Sequence, residues 1–597
     1  MPENGRSRRR LNLKIEQNAL SIGIVLLYFC CRTADVWFEN EWYISGAVLQ
    51  KLWNSSALTV NIILTSKNYK KKVLALNQHS IRRLLDTWFN FKFRLLAGGI
   101  AVGVLSGTVV VLFRFVLEEA LKQSLVFYQY QRSHLWFMPV WLAILILAGW
   151  FIGILVKKQP GISGSGIPQV KAVLQNRLEL TWWKALSAKF IGGAVSIGAG
   201  LSLGREGPSI QIGALMAEGF SRVFRKSKTE TQILITCGAS AGLSAAFNAP
   251  IAGVIFALEE VHLNFSPLIM VSALTSSLVA DFISKEFFGL TPVFNFSGIG
   301  TLPLLDYYHL VLLGLLVGVS GILFNKGLYF FQDLYQRITW MPSQARPIVP
   351  FVLAGILGLT LPSVLGGGNG LVNQLVSSRF SLTFLLLLLA AKFLFTMLSY
   401  GSSAPGGIFL PMLVIGGLIG TLYCKVTNGF LGGNTLDEAY FLIVAMAGFL
   451  TASLKAPITG IVLITEMTGS FTNLLPIGIV CLTAYMTAEF FRSLPVYEVL
   501  LERFLHGKNA VNKTDSSKVI LEIPVHQGSF LDGISIGAFQ WPAHCLIVSV
   551  KRGAEEIIPT GNLVLHAGDS LVILTSDRES PLVLETVRQG AHVSSLA

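Results

Sequence analysis

The stretch Gly204–Ser209 reads GREGPS, and it stands between two apolar runs, WWKALSAKFIGGAVSIGAGLSL at Trp182–Leu203 and IQIGALMAEGF immediately after it. The Glu206 carboxylate is costly in such a setting, since a charged group at a membrane centre costs about 2.5–3.5 kcal/mol on insertion scales. The glycines and the proline of the stretch interrupt a helix, so we predict that one helix ends near Gly204 and another begins near Pro208. Broken backbone at membrane depth is tolerated only where it lines a cavity. The stretch therefore predicts the gate of an ion path.

The composition predicts an all-α polytopic membrane protein. Of the 597 residues, 52% are hydrophobic and 13% are charged, and the mean hydropathy is +0.61, whereas soluble domains contain about 25% charged residues. The net charge of +13 is concentrated in the N-terminal tail and in loops, as expected where basic loops stay on the cytoplasmic side. In so apolar a chain we expect no nucleic-acid partner. The six scattered cysteines form no C-x-x-C pair and predict no disulfide framework, and we predict no metal site and no cofactor.

Changes in composition along the chain predict four segments. They are an N-terminal tail that we expect to be poorly ordered (1–85), a transmembrane domain (86–505), a polar linker (506–518) and a small soluble domain (519–590). In the soluble domain the pattern predicts strands at 519–523, 545–550 and 571–574, and helices near 530–536 and 581–588. A domain of this size has a marginal hydrophobic core of its own.

Two blocks of the transmembrane domain recur in the same order. Ala249–Glu259 begins APIAGVI and ends in glutamate, and Ala456–Glu466 begins APITGIV and ends in glutamate 207 residues later. The spacing of the opening stretch also recurs 203 residues later, where Gly204, Pro208 and Gly213 correspond to Gly407, Pro411 and Gly416. We interpret this as a duplicated membrane unit, and many transporters place their site where two such halves meet. Whether the halves are inverted depends on the number of spans in each, which the sequence leaves open.

Three glycine-rich breaks share one design, with glycines placed before a proline. They are GSGIP at Gly164–Pro168, the stretch around Glu206, and GSSAPGGIFLP at Gly401–Pro411. Each predicts a helix N-terminus, which carries a partial positive charge and free N–H donors. Several such ends aimed at one point form an anion site, to which Ser165 adds a hydroxyl. The alternative is that these are close-packing glycines of an ordinary membrane bundle.

Glutamates supply the protonatable groups of this site. The carboxylate of Glu206 at an anion site takes the place of the anion, and it leaves when it is protonated; the alternative is a structural carboxylate paired with Arg205. Glu259 and Glu260 end an apolar run, and adjacent helical residues point about 100° apart, so one of them faces a given path. The alternative is a helix end at the water interface. Tyr497 opens a late helix and by itself is typical of an interfacial aromatic residue.

A serine-hydrolase motif is also present, although its context argues against enzymatic activity. Gly238–Gly242 reads GASAG and matches the G-x-S-x-G nucleophile elbow, with Ser240 as the nucleophile and His262 downstream. The motif requires soluble α/β surroundings, but it lies in an Ala/Gly-rich membrane segment. We predict that the protein is not an enzyme and keep a membrane serine hydrolase as a remote alternative. Without a P-loop, ATP-driven pumping has no support in the sequence.

Taken together, the motifs resemble those of the ClC family of chloride channels and chloride/proton antiporters. The resemblance covers about residues 86–505 and rests on GSGIP, GREGP and GIFLP, on Asn248-Ala249-Pro250 leading to Glu259-Glu260, and on Tyr497. It implies a homodimer with one anion path per subunit and two inverted halves with broken helices in each subunit. It also implies a multi-pass protein of the cell inner membrane or plasma membrane.

The resemblance also implies roles for individual residues. The implied anion site consists of the hydroxyls of Ser165 and Tyr497 and the backbone N–H groups of Ile408 and Phe409, in the breaks that contain Gly204 and Gly407. Glu206 is implied as the gating, external proton glutamate. Glu260, rather than Glu259, matches the internal proton glutamate.

These matches favour one class within the family. Members with an acid at the position of Glu260 are mostly antiporters, and Ser165 matches the chloride-preferring form. We therefore predict a chloride/proton antiporter gated by Glu206, with a passive voltage- or pH-gated chloride channel as the alternative. One departure is Gln169-Val170-Lys171, where many members carry glutamate at one or both polar positions.

The soluble domain resembles the TrkA-C (RCK-C) domain. The resemblance rests on Val548–Gly553, on Ile558-Pro559 and on Ala567-Gly568-Asp569 before an apolar strand. It implies a small α+β cytoplasmic regulatory module that dimerises or binds a small-molecule ligand. The CBS pair that other ClC members carry is absent from this sequence.

Overall fold

The computed structural model describes residues 70–591, apart from 291, 295–301, 378–379, 432–435, 510–517, 544, 554 and 577–578. The chain divides into two compact units, Met1–Phe93 and Arg94–Ala597. The first described helix begins at Lys70, inside the segment that the sequence predicted as a poorly ordered tail. The remainder of that predicted tail, residues 1–69, lies outside the described residues, as does most of the predicted linker.

In the described part of the chain, eight α-helices form the first half of the membrane domain. They are α1 (Lys70–Ser133), α2 (Met138–Lys158), α3 (Ile167–Leu174), α4 (Trp182–Gly198), α5 (Glu206–Val223), α6 (Lys228–Phe247), α7 (Pro250–Phe256) and α8 (Pro267–Phe288). Helix α7 continues into a wider π-helical turn, Ala257–His262. Proline occupies the first turn of α3, α7 and α8, where the missing N–H is not needed for a helical hydrogen bond.

Eight further helices repeat this order. They are α9 (Tyr308–Arg337), α10 (Ile348–Thr360), α11 (Asn369–Ser377), α12 (Leu382–Gly401), α13 (Phe409–Leu431), α14 (Glu438–Leu454), α15 (Pro457–Thr468) and α16 (Leu474–Phe490). A last helix, α17 (Val496–Asn509), follows them and carries Tyr497 in its first turn, as predicted. In the described part, six helical segments are long and apolar enough to cross a membrane: Phe91–Ser133, Met138–Lys158, Pro267–Phe288, Leu304–Arg337, Leu382–Gly401 and Phe409–Phe430.

Reciprocal hydrogen bonds between equivalent residues relate the two halves. Glu259 accepts hydrogen bonds from the backbone N–H groups of Ile458 and Thr459, at 3.3 and 2.7 Å, at the start of α15. Glu466 does the same at the start of α7, where Ile251 and Ala252 donate at 3.0 and 2.7 Å. Each half therefore caps a helix of the other, which satisfies orphan N–H groups.

The equivalent glycines Gly204 and Gly407 form an antiparallel bridge, so the two equivalent segments run in opposite directions. Such a pairing of equivalent residues is expected where a two-fold axis relates the two halves. The predicted fold, an α-helical membrane protein with two inverted halves and broken helices, is confirmed.

The soluble domain is a four-stranded antiparallel sheet with one helix against it. Strands β1 (Lys518–Pro524), β2 (Leu546–Arg552), β3 (Glu555–Ile557) and β4 (Asp569–Ser576) lie in the order β1-β4-β2-β3, and α18 (Ser580–Ala591) follows. The three predicted strands and the second predicted helix are present. The helix predicted near 530–536 is wrong, because Gly533 takes a left-handed φ of +88° and the segment forms turns.

Candidate functional site

Three helix N-termini arise at the three predicted breaks. Helix α3 begins at Ile167, α5 at Glu206 and α13 at Phe409. Gly166, which caps α3, has a φ of +96°, a conformation that residues with a Cβ adopt at a cost. Helix α5 begins two residues before the predicted Pro208, because proline fits anywhere in the first turn. This places Glu206 at the first helical position of α5.

The Glu206 carboxylate crosses from its own half to the helix start of the other. The backbone N–H of Leu410, in the first turn of α13, donates to Glu206 Oε1 at 2.8 Å. The side chain is fully buried, and its second oxygen has no hydrogen-bond partner in the described part of the chain. A buried carboxylate at a helix N-terminus occupies the kind of place in which such termini bind anions.

Glycines surround this carboxylate because any larger residue would collide with it. The N–H of Gly204 donates to Gly407 O, and the N–H of Gly407 donates to Gly204 O, both at 2.7 Å. A Cβ on Gly407 would lie 2.9 Å from Glu206 Oε1 and 3.1 Å from the nitrogen of Gly207, and a Cβ on Gly204 would also meet the carboxylate. The two predicted glycines thus hold the halves together and leave room for Glu206.

The predicted hydroxyl donors lie in the same region. The Ser165 and Tyr497 hydroxyl oxygens are buried without a hydrogen-bond partner among the described residues. The Tyr497 hydroxyl lies close to the Ser165 side chain, and the carboxylates of Glu206 and Glu260 are within electrostatic reach of it. A buried polar group without a partner is costly, so two such hydroxyls provide donors for an anion.

The other two predicted contributors are at the start of α13. Ile408 immediately precedes the helix and Phe409 opens it, so their N–H groups belong to the set that a helix leaves unbonded. Both residues are fully buried. The Phe409 ring packs against Phe247 and Phe256, with ring centroids 5.9 and 6.0 Å apart, which fixes the first turn of α13.

Two buried lysines hold the loops that lead into the site, and the sequence analysis missed both. Lys189 Nζ donates to the carbonyls of Ile162 and Gly164 at 2.9 and 2.7 Å. Lys392 Nζ donates to the carbonyls of Val364 and Gly366, also at 2.9 and 2.7 Å. The two lysines are 203 residues apart, the offset of Gly204 and Gly407. A search for charged residues at the repeat offset would have found them.

The two adjacent glutamates point to different partners. Glu259 caps α15 of the other half, as described above. Glu260 is buried and pairs with Lys171 of α3, with Lys171 Nζ 2.8 Å from Glu260 Oε1. Glu259 caps a helix, so Glu260 is the glutamate of the pair that contacts α3, the helix that follows the Ser165 loop. Lys171 belongs to Gln169-Val170-Lys171, the stretch at which the sequence departs from the family pattern.

Arg205 does not support the alternative in which it neutralises Glu206. Its guanidinium forms a close ion pair with Glu118 of α1. Glu118 also accepts a hydrogen bond from Arg114 Nε at 3.0 Å. Arg205 and Glu118 line a cavity of about 600 Å³, and Leu410 also belongs to its lining. The cavity therefore reaches the turn of α13 that binds the Glu206 carboxylate.

The hydrolase motif has a packing explanation. Ser240 lies inside α6 and is fully buried, so no strand-turn-helix elbow is formed. A Cβ on Gly238 would collide with the carbonyl of Gly213 on α5, and one on Gly242 with the carbonyl of Ser209. The glycines of the motif allow the close approach of α5 and α6.

The arrangement of the broken helices defines a class of protein. Two inverted halves with discontinuous helices that meet at buried polar groups are the architecture of secondary membrane transporters. The model of the voltage gated chloride channel family matches residues 148–489, and the model of the TrkA-C domain matches residues 520–586. The chain belongs to the voltage-gated chloride channel (ClC) family and carries a C-terminal TrkA-C domain.

Similar proteins in bacteria agree with this assignment. The H(+)/Cl(-) exchange transporter ClcA of Citrobacter koseri is 36% identical over 385 residues, which cover 63% of this chain and 81% of that protein. The ClcA of Klebsiella pneumoniae strain 342 is 35% identical over 422 residues, which cover 68% of this chain and 88% of that protein. The solved structure of a slow cyanobacterial Cl−/H+ antiporter has a TM-score of 0.65 and 31% identity, and it covers 70% of this chain and 99% of its own.

Proposed function

We propose that this protein exchanges chloride for protons across a cell membrane, with Glu206 as its gate. The observation that carries the proposal is the Glu206 carboxylate bound by the Leu410 N–H at the N-terminus of α13. A carboxylate in this position is a tethered anion that competes with a free one. The names of the similar bacterial exchangers and of the cyanobacterial antiporter support chloride and protons as the substrates.

The anion is proposed to bind between the helix N-termini and the two unpaired hydroxyls. Ser165 and Tyr497 donate from their hydroxyls, and Ile408 and Phe409 donate from their N–H groups. These are neutral donors, which attract a dehydrated halide without holding it as tightly as a full cation would, and transport requires this balance. Gly204 and Gly407 keep the position free of side chains other than that of Glu206.

Protons are proposed to reach the gate through Glu260. A proton on Glu206 removes its charge, and the neutral side chain leaves the helix N-terminus to chloride. Glu260 lies within electrostatic reach of Tyr497, as does Glu206, which supports a route between the two acids. Passive chloride conduction is the alternative, and the ion pair of Glu260 with Lys171 favours it, since a paired carboxylate takes up a proton less readily.

Proton movement driven by chloride tests this proposal directly. In liposomes loaded with chloride, with the membrane potential clamped by potassium and valinomycin, chloride efflux through the protein should drive protons inward and raise the external pH. A protonophore should abolish the pH change, and protein-free liposomes should show none. Chloride efflux without any proton movement would leave the passive channel as the function.

Substitution of Gly407 by alanine should uncouple the two ions. The new Cβ would displace the Glu206 carboxylate from the Leu410 N–H, and a hydrogen bond to a charged group contributes about 1.5–3 kcal/mol. We expect the protons moved per chloride to fall about tenfold or more, with chloride flux maintained, in the same liposome assay. Gly429→Ala on the same helix is the matched control, because a Cβ there meets none of the described residues within 4 Å. Equal coupling in the two variants would contradict the proposed gate.

The proposal also covers the oligomeric state of the protein and its C-terminal domain. We propose a homodimer in the cell inner membrane or plasma membrane, with the TrkA-C domain in the cytoplasm as a regulatory module that binds a small ligand. In that domain Arg552 pairs with the buried Asp569 through two contacts of 2.7 Å, which ties β2 to β4. We propose no enzymatic activity for the protein.

A further inference from the structure

Lys171 and Glu260 form a buried ion pair whose cation has no assigned role. Their side chains are 1% and 6% exposed, and Lys171 Nζ lies 2.8 Å from Glu260 Oε1. Lys171 belongs to α3, the short helix that begins directly after the loop carrying Ser165. The pair therefore joins the turn of Glu260, a proposed proton carrier, to α3, which follows the loop of Ser165, a proposed anion donor.

The surroundings of Glu260 contain more negative groups than positive ones. The carboxylates of Glu259 on the same turn and Glu498 on α17 act on it, and Lys171 on α3 opposes them. The Tyr497 hydroxyl of α17 is also within electrostatic reach. From the remaining packed elements, α6 presents the Thr236 hydroxyl to His262, whose Nδ1 is 2.8 Å away. Helix α7, PIAGVIF, has no titratable side chain.

A proton and the Lys171 ammonium compete for the same carboxylate. When a proton from water binds Glu260, its charge is neutralised, and Lys171 is left as a buried cation without its partner. Breaking a buried pair on one side is strongly unfavourable, because it leaves an uncompensated charge. The reverse step, release of the proton, restores the pair. The lysine thus opposes proton loading and favours proton release at this position.

We propose that Lys171 is a positioning residue that competes with protons for Glu260 and thereby sets the pH range over which the protein couples protons to anion transport. The inference rests on the proposed chloride/proton exchange. It assigns Lys171 no direct contact with the transported proton. Its effect passes through Glu260, and this separates it from a lysine that only stabilises the fold.

The test measures the pH dependence of chloride-driven proton transport in liposomes. Removing the cation lets protons bind Glu260 at a lower proton concentration. Lys171→Met should therefore shift the alkaline limb of the pH profile to higher pH by about one unit or more, which is a tenfold change in proton concentration. Lys171→Arg, which keeps the charge, should retain the wild-type profile. Arg177→Met is the matched control, since Arg177 pairs with Glu502 at 2.7 Å on the exposed surface, and its profile should also stay unchanged.

A second neutral variant keeps the result decisive. Lys171→Met leaves a buried carboxylate unpaired, so Lys171→Gln is made beside it; glutamine is neutral but still offers N–H donors to Glu260, and the same upward shift is expected. If Lys171→Met does not fold, the glutamine variant decides the question. Proton transport with the wild-type profile in the folded neutral variants would overturn the role of Lys171 while leaving the exchange function intact. Absence of proton transport in the wild type would overturn the exchange function, and this inference with it.

Discussion

Replacing Glu206 by glutamine should abolish proton transport while chloride continues to cross the membrane. Glutamine has nearly the same size and shape as glutamate, so it fits the space that Gly204 and Gly407 leave for this side chain. It can neither carry a proton nor act as a tethered anion at the start of α13. Positioned acid–base groups typically contribute factors of about 10²–10⁴, so we expect proton flux to fall by about a hundredfold or more. Paired measurements of chloride and proton flux in liposomes report this directly.

The matched control for this variant is Glu218→Gln. Glu218 is a buried glutamate of the same helix α5, but it pairs with Arg222, with atoms 2.6 Å apart, rather than with the other half of the protein. Loss of coupling is expected for Glu206→Gln alone. Retention of proton transport in Glu206→Gln would refute the gating role, and equal losses in both variants would point to a general defect of α5.

The position of Glu206 illustrates how much the sequence alone can predict. The costly charge, the glycines and the proline within six residues predict a break at membrane depth, and the repeat predicts its counterpart at Gly407. The first is a local signal, because it depends on residues close together in the chain, and the second is a comparison of two stretches 203 residues apart. The break, the helix start and the meeting of the two halves are all present in the structure, with the helix beginning at Glu206 itself.

The partners of the charged residues could not be predicted in this way. Arg205 is adjacent to Glu206, yet it pairs with Glu118 of α1. Lys171 pairs with Glu260, 89 positions away, and each choice depends on how helices pack rather than on local sequence. In the soluble domain, short runs of aliphatic and β-branched residues predicted the strands, whereas the turns around Gly533 have no such local signal.

Glu260→Gln and Glu259→Gln should produce opposite defects, although the residues are neighbours of the same type. Glu260 pairs with Lys171 and caps no helix among the described residues, so its replacement should stop proton transport while chloride flux continues. Glu259 caps α15 across the repeat, accepting from Thr459 N and Thr459 Oγ1 at 2.7 Å each. Its replacement should therefore weaken the contact between the halves and leave coupling intact. Hydrogen bonds to charged groups contribute about 1.5–3 kcal/mol each, so a loss of stability of that size is expected.

Two measurements on the same preparations separate these defects. Chloride-driven proton transport should be lost in Glu260→Gln and retained in Glu259→Gln, while thermal unfolding in detergent should show the larger decrease in stability for Glu259→Gln. Glu466→Gln, which removes the equivalent cap on α7, provides the matched control and should behave like Glu259→Gln, because the two glutamates occupy corresponding positions in the repeat. Loss of coupling in Glu259→Gln with normal coupling in Glu260→Gln would reverse the assignment and identify Glu259 as the proton carrier.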